Sequence, residues 1–500
     1  MPNRPNILIF MTDQERGDVV APDHPCMTPN ADRLAADGVR FTHTYTPYAH
    51  CCPARATFMT GLYPSRHGVF NNVLTETAIN LGLREGVVTF SEQLRDAGYD
   101  LTLCGKWHVS REERPADRGW HERAVTASAG TWHTRRVHEW RDGPRTPDTP
   151  ADARPKGHVQ RPGWGDFVLY ATEPDGGPKG YENQHDNAVI EAAVAALHDY
   201  AQRDDPWCLF VGPIGPHDPF IVPEKYAKLY DPATIPLPPS YGDTLEDKPR
   251  IYQRQRRQLW DQLSEEEVRA SIAHYWAYCT LEDAMLGEVL DALDATGQAD
   301  DTVVIFLSDH GDYLGDHGLY LKGVPAFRGA YHVPCIVRWP NGLADPGRTM
   351  DEFVTLADFA PTFLDLAGVD SGVEFTGRSI VPFLRGETPA DWPQACFTQF
   401  NGVELYYTQR AVNTKEFKYV YNGFDFDELY DLRTDPHEMH NVADDPVYAD
   451  VKHDLVRQMW AFAAAQEDII FNPYGTVGLA PWGPADALGR SAEKSEEDKD

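Results

Sequence analysis

The sequence predicts an α/β protein, with a mostly parallel sheet sandwiched between helices and a smaller C-terminal α+β part built from an antiparallel sheet and a helix. Three observations lead there. Short, wholly apolar runs alternate with helical patterns along most of the chain, as in a sheet whose two faces are both covered. At 500 residues the chain exceeds the size at which one core stops growing, so a large domain (residues 1–388) and a smaller one (389–490) are expected. Beyond Glu387-Thr388-Pro389 the pattern changes, and short alternating runs such as Lys418-Tyr419-Val420-Tyr421 point to antiparallel strands.

The elements follow in order. Residues 7–11 form the first apolar run, too short for a signal-peptide core and followed at once by Asp13, so they read as a first strand in a cytoplasmic protein. Thr28-Pro29 opens a helix that Gly38 closes. Thr89 and Glu92 make a capping box ahead of a helix ended by Gly98, and Ser264 and Glu267 make another ahead of a long pattern reaching Leu293. Residues 113–181 form an irregular excursion rich in Pro, Gly, Arg and His. It reads as a lid, with Trp120, Trp132, Trp140 and Trp164 able to stack on a ring and Arg135 and Arg136 able to meet anionic groups, or as an insertion that these tryptophans merely anchor. A helix over about 447–465 closes the C-terminal part, and residues 491–500 read as a charged, disordered tail.

Composition excludes several functions. The eight cysteines contain no C-x-x-C pair, so neither a zinc ribbon nor a dense disulfide framework is indicated. A formal charge of −32 argues against nucleic acid and against an anionic membrane surface as partners. No run approaches the roughly 20 apolar residues of a membrane span.

Four apolar runs lead directly into residues able to do chemistry. Residues 7–11 precede Asp13 and Gln14; 101–104 precede Lys106 and His108; 208–211 precede His217; 303–307 precede Asp309 and His310. Ligands of open parallel sheets bind outside the carboxyl ends of the strands, so these segments should converge on one edge, with Cys51 among them.

Cys51 opens the stretch Cys51-Cys52-Pro53-Ala54-Arg55-Ala56-Thr57-Phe58-Met59-Thr60-Gly61. Taken alone it reads as a small buried hydrophobe, or as a low-pKa thiolate near a helix N-terminus, because Pro53 suits a first turn. The whole stretch has the form C-x-P-[SA]-R-x-x-x-[LM]-T-G and resembles the signature of type I sulfatases, continued by Leu62-Tyr63-Pro64-Ser65-Arg66-His67-Gly68. Further similarity lies in Gly105-Lys106-Trp107-His108, in Gly215-Pro216-His217-Asp218-Pro219-Phe220, and in Ser308-Asp309-His310-Gly311 followed by Gly315-Asp316-His317-Gly318 and Lys322. Asp435-Pro436-His437-Glu438 and Asn441, after Glu428-Leu429-Tyr430-Asp431-Leu432, resemble the family's closing segment.

This resemblance implies an alkaline-phosphatase-like fold and hydrolysis of a sulfate monoester, whether small-molecule (aryl or alkyl) or saccharide. It implies that a formylglycine-generating enzyme converts Cys51 to 3-oxoalanine (formylglycine), whose metal-bound hydrate attacks sulfur. Asp13, Gln14, the residue derived from Cys51, Asp309 and His310 would hold the metal. Lys106 and Lys322 would hold the sulfate oxygens, Arg55 would orient the hydrate, His108 would take a proton from it, and His217 would protonate the leaving group. Asn72 could reach the transferring group or form a plain turn, while Asp316 and His317 could support the site or simply shape a turn. The negative net charge opposes long-range attraction of sulfate, but a few cleft cations suffice because the remote field is screened beyond about 10 Å.

Two departures bear on chemistry. Many sulfatases carry Asp where Gln14 stands and Asn where His310 stands. Calcium stays first by family, manganese follows because it tolerates imidazole, and magnesium is a further option. The same departures resemble the phosphonate monoester hydrolase and choline sulfatase branches, and a phosphonate monoester/phosphodiester hydrolase is the alternative reading, whereas the Lys106-x-His108 pair favours a sulfatase. A non-catalytic binder of sulfated ligands and a thiol enzyme using Cys51 directly are the readings from other classes. Specificity for the alcohol is expected in residues 113–181 and in Gln399 to Glu404.

Overall fold

A computed structural model describes residues 4–75, 78–128, 154–161, 165–174, 182–403, 405–423, 425–479 and 482–485. The strands in chain order are β1 (Asn6–Thr12), β2 (Gly38–Tyr45), β3 (Asp100–Lys106), β4 (His121–Thr126), β5 (His158–Arg161), β6 (Gly165–Val168), β7 (Tyr170–Glu173), β8 (Trp207–Gly212), β9 (Phe220–Pro223), β10 (Thr302–Ser308), β11 (Cys335–Arg338) and β12 (Arg348–Thr355). The C-terminal part adds β13 (Ala395–Phe400), β14 (Gln409–Thr414), β15 (Phe417–Asn422) and β16 (Glu428–Asp431).

Eight strands make one sheet in the order β12-β2-β11-β10-β1-β8-β3-β4. Neighbours run parallel throughout except at β11, which is antiparallel to both β10 and β2. The central strands are apolar without alternation because both faces are covered. Leu8, Phe10, Val304 and Phe306 face one core, shared with Val189 of the helix Glu182–Tyr200 and Tyr275 of the helix Glu265–Ala295. Ile7, Ile9, Met11, Val303, Ile305 and Leu307 face the other, against Ala56 and Phe58 and the helix Phe359–Ala367. Each such side chain, fully buried, contributes about 1.5–3 kcal/mol.

Both capping boxes form. Thr89 N donates to Glu92 Oε2 at 2.9 Å, and Ser264 N donates to Glu267 Oε2 at 3.0 Å. The helix α1 (Pro29–Ala36) ends with Asp37 as its C-cap, and Gly38, which follows, begins β2. The C-terminal sheet β13-β14-β15-β16 is antiparallel, and the helix Ala449–Ala465 lays Leu455, Met459 and Trp460 on Val412, Tyr419 and Leu429. The α/β fold class with a C-terminal α+β part therefore holds.

The expected excursion is less irregular than its composition suggests. β4 is the edge strand of the main sheet, β5 and β6 form a hairpin, and β7 pairs in parallel with β9. Trp120 is buried, with its ring centroid 5.9 Å from Phe90 and 6.2 Å from Phe210, so it anchors the segment and cannot stack on a ligand. Trp132, Trp140, Trp164, Arg135 and Arg136, like Glu404 and the tail 491–500, lie outside the described residues. Among the described residues no helix is long and apolar enough to cross a membrane, and the eight cysteines are free and buried.

Register positions the functional edge. Thr12 pairs with Ser308, so β1 and β10 end at one level and release Asp13 and Asp309 side by side. On the other side of β8, Gly105 pairs with Gly212. A Cβ on Gly105 would stand 2.1 Å from Gly212 O, and its φ is +101°. Gly105→Ala is accordingly expected to lower stability by about 2 kcal/mol or more, read from denaturant midpoints; an unchanged midpoint would show that this close approach is not needed.

Candidate active site

Cys51 is the first residue of helix α2 (Cys51–Thr60), which His50 caps in extended conformation. The helix N-terminus presents its free N–H groups and positive dipole end to the sheet edge. Cys51 Sγ lies 3.2 Å from His310 Nε2 and 3.7 Å from Asp13 Oδ1. Ligand atoms from Asp13, Cys51, Asp309 and His310, all buried, fall within 4.8 Å of one another.

The two carboxylates divide their oxygens. Asp13 Oδ1 and Asp309 Oδ1 each stand 3.7 Å from His310 Nε2, facing a common point. Their outer oxygens take cations: Arg55 Nε donates to Asp309 Oδ2 at 2.7 Å, its Nη2 donates to Asp13 Oδ2 at 3.3 Å, and Lys106 Nζ also donates to Asp13 Oδ2. Arg55 Nη1 donates to Lys106 O at 3.0 Å, tying β3 to the same unit. Burial pushes the Asp13 carboxyl up, but Lys106, His217, Arg55 and His310 outweigh it and hold the group well below the usual range. His310 Nδ1 lies 3.0 Å from Gly311 O; donating there, it leaves Nε2 with a lone pair toward the common point. Two carboxylates, an imidazole and the position-51 side chain thus fit a divalent cation.

Gln14 and His108 follow strand ends with φ of 68° and 53°, left-handed conformations that turn the chain sharply. Gln14 Nε2 donates to Asp312 Oδ2 at 2.6 Å and Asp218 Oδ1 at 3.1 Å, and Gln14 Oε1 accepts from Lys322 Nζ. The expected metal ligand is therefore held by Lys322 at the rim of the cluster.

Lys322 Nζ also lies 2.7 Å from His217 Nε2, whose ring Nδ1 is 2.7 Å from Asp218 O. Burial and Lys322 depress the His217 pKa, the carboxylates of Asp218 and Asp13 raise it, and the net shift is upward. His108 goes the other way: burial, then Lys106, holds it well below the usual imidazole value.

Three residues to which the sequence assigned no role join the site. Asp218 and Asp312 fix Gln14; Asp312 Oδ1 also accepts from Leu314 N and Leu321 N, and burial pushes its carboxyl up to about 7. His50 is kept neutral by burial and by the cations around it, Lys322 foremost. Their signal was adjacency, since Asp218 follows His217, Asp312 follows His310 by two, and His50 precedes Cys51.

Other expectations resolve as structure. Asn72 Oδ1 accepts from Leu74 N at 3.0 Å and from Cys52 Sγ at 3.3 Å, the geometry of a side-chain turn. Asp316 pairs with Arg16, and His317 stacks on Phe327 while its Nδ1 meets Asp243 Oδ2 at 2.6 Å, so both shape a turn away from the cluster. Gln399 is buried between Ser65 and Asp468 and is closed to any ligand.

Residues 5–369 match the family model described as Sulfatase. The chain belongs to the sulfatase family. Residues 315–465 of this sulfatase also match the C-terminal model of N-sulphoglucosamine sulphohydrolase. A choline-sulfatase of Rhizobium meliloti is 31% identical over 476 residues, covering 89% of this chain and 83% of that protein. The multifunctional alkaline phosphatase superfamily protein PehA of Trinickia caryophylli is 27% identical, over 94% of this chain and 97% of its own. The solved phosphonate monoester hydrolase of Agrobacterium radiobacter superposes with a TM-score of 0.75 at 27% identity, over 93% of this chain and 96% of that one. The sulfatase is a sulfuric ester hydrolase with the alkaline-phosphatase-like fold.

Arg55 shared by two buried aspartates sets a testable stability pattern. In metal-free protein at neutral pH, Arg55→Met is expected to lose about 3–5 kcal/mol of unfolding free energy, because two buried carboxylates lose their common cation. Asp13 with its lowered pKa stabilises the wild type above the unfolded-state carboxyl pKa, and that contribution fades as pH falls through the folded value. The gap between the two proteins should therefore narrow in acid. A gap that is small, or constant with pH, in denaturant titrations would contradict the shared-cation arrangement.

Proposed function

We propose that this sulfatase hydrolyses sulfate monoesters with formylglycine at position 51, formed by an external maturation enzyme, and with one divalent metal. The observation that carries the reading is the convergence of Cys51, Asp13, Asp309 and His310 on one buried point, ringed by Lys106, Lys322, His108 and His217. Asp13, Asp309 and His310, with Gln14 once it releases Lys322, would hold the metal, calcium by family and manganese next for its tolerance of imidazole. Together the oxidised residue and the metal would supply a hydrated aldehyde ionised enough to accept a sulfuryl group.

Every other part of the reaction falls to side chains already in place. Lys106 and Lys322 would neutralise the sulfate oxygens, Lys322 once it leaves Gln14 Oε1. Arg55 holds both carboxylates in place. His217, with its pKa raised, keeps a proton to give the ester oxygen as the S–O bond breaks. His108, with its pKa lowered, is neutral and can accept the proton whose loss from residue 51 expels sulfate. Two imidazoles pushed apart by their surroundings divide the acid and base roles.

A second reading, phosphonate monoester hydrolysis, is favoured by the 27% identity to the Agrobacterium enzyme. Protein shown by peptide mass to carry formylglycine at position 51 is expected to have the higher kcat/KM on nitrophenyl sulfate than on a nitrophenyl phosphonate monoester; the reverse order would move it to the second reading. His217→Asn is expected to lower kcat by about 10²–10⁴ on an alkyl sulfate while largely sparing nitrophenyl sulfate, whose leaving group needs no proton. Equal losses on both would remove His217 as the acid.

A further inference from the structure

Far more acidic than basic residues stand in this chain, 77 against 45, yet one surface helix is strongly basic. The helix Arg250–Leu259 carries Arg250, Arg254 and Arg257, which at spacings of four and three residues lie on one face. All three are exposed, and none forms an ion pair with a described residue, whereas Arg256 on the other side pairs with Asp261.

These arginines line a depression of about 590 Å³ together with Lys248, Gln253, Gln258, Glu246 and Phe426. The Lys248 ammonium is already taken by Asp243 and Asp247, and the Asp425 carboxylate is engaged by the backbone N–H of Arg250. Glu246 and the adjacent Asp425, whose charge a neutral N–H does not cancel, stand against three guanidinium groups, so the arginines leave the depression with a positive excess. Planar forks suit sulfate oxygens bidentately, glutamine amides suit hydroxyl groups, and the half-exposed Phe426 offers a ring face to a sugar.

The position is equally informative. From the opposite side of the helix Arg256 Nη1 reaches His317 O, and Tyr252 packs on Phe327, so the helix rests on residues flanking Lys322 in the loops beyond β10. The basic face and the catalytic centre share the carboxyl-edge side of the sheet.

Building on the sulfatase reading, we propose that Arg250, Arg254 and Arg257 form a surface site, separate from the catalytic centre, for a sulfated saccharide chain. Charge complementarity commits the occupant to a polyanion, and the amide and aromatic lining favours a sugar over an acidic peptide. A long sulfated substrate would be retained here while one ester occupies the catalytic centre.

The test uses mature full-length enzyme and dextran sulfate as the probe, with unsulfated dextran and polyglutamate as comparators. Wild type is expected to bind dextran sulfate in a salt-sensitive manner, to ignore dextran, and to bind polyglutamate at least tenfold more weakly. The triple variant R250Q/R254Q/R257Q keeps good helix formers at exposed positions. It should lose at least tenfold in affinity for dextran sulfate and retain wild-type kcat/KM on nitrophenyl sulfate. Absence of dextran sulfate binding, binding by the variant within twofold of wild type, or polyglutamate binding as tight as dextran sulfate would overturn the site. The last result would assign the face to an acidic segment such as residues 491–500. Dextran sulfate binding that depends on the arginines in an enzyme inactive on nitrophenyl sulfate would uphold the surface site while refuting the catalytic reading.

Discussion

Two carboxylates do not stay ionised side by side in a dry interior unless cations share their charge, and Asp13 and Asp309 are both fully buried. Everything at the functional edge follows from how that charge is met. The pairing of Thr12 with Ser308 forces the two aspartates together. Arg55, one turn along α2 from Cys51, reaches both from one side and the backbone of Lys106 from the other. Because Arg55 and Lys106 bind only the outer oxygens, the inner oxygens, one of which accepts from Gln14 N, remain open to a further cation beside residue 51. The same guanidinium thus joins the two aspartates to the helix that carries Cys51.

Around this core the cations are interlocked. Lys322 bridges Gln14 and His217, Asp218 touches the groups on either side, and Asp312 anchors Gln14 while bonding the backbone at Leu321 beside Lys322. A change at any one of these groups is transmitted to the others through this shared hydrogen-bond network. The opposite pKa shifts of His108 and His217 have different balances: burial and then Lys106 lower the first, whereas at the second Asp218 and Asp13 outweigh burial and Lys322.

Much of this was legible in the sequence because it is local. Apolar runs mark buried strands, the residue after a strand end is fixed at the sheet edge, and the stretch opening with Cys51 keeps cysteine and arginine four residues apart on one helix. What the sequence did not show is pairing between distant segments. β4 hides in a stretch whose Pro and Arg content reads as loop, and it becomes a strand because the edge of β3 offers it a partner. Trp120 reads as a stacking platform until Phe90 and Phe210 are seen to enclose it. Asp218 and Asp312 carry no periodicity of their own, and their role comes from Gln14, 204 and 298 residues away respectively. Asn72 and Asp316 stand in stretches matching the family, yet their bonds are those of turns.

The central claim is that the inner oxygens of Asp13 and Asp309, with His310 Nε2, form a single cation site beside residue 51 while Arg55 keeps the outer oxygens. The most direct measurement is a crystal structure of the mature enzyme with manganese added, the ion located by its anomalous scattering. The account expects one strong peak within bonding distance of those three atoms, with Arg55 still on both outer oxygens. A peak elsewhere, or none in a folded and active enzyme, would contradict it.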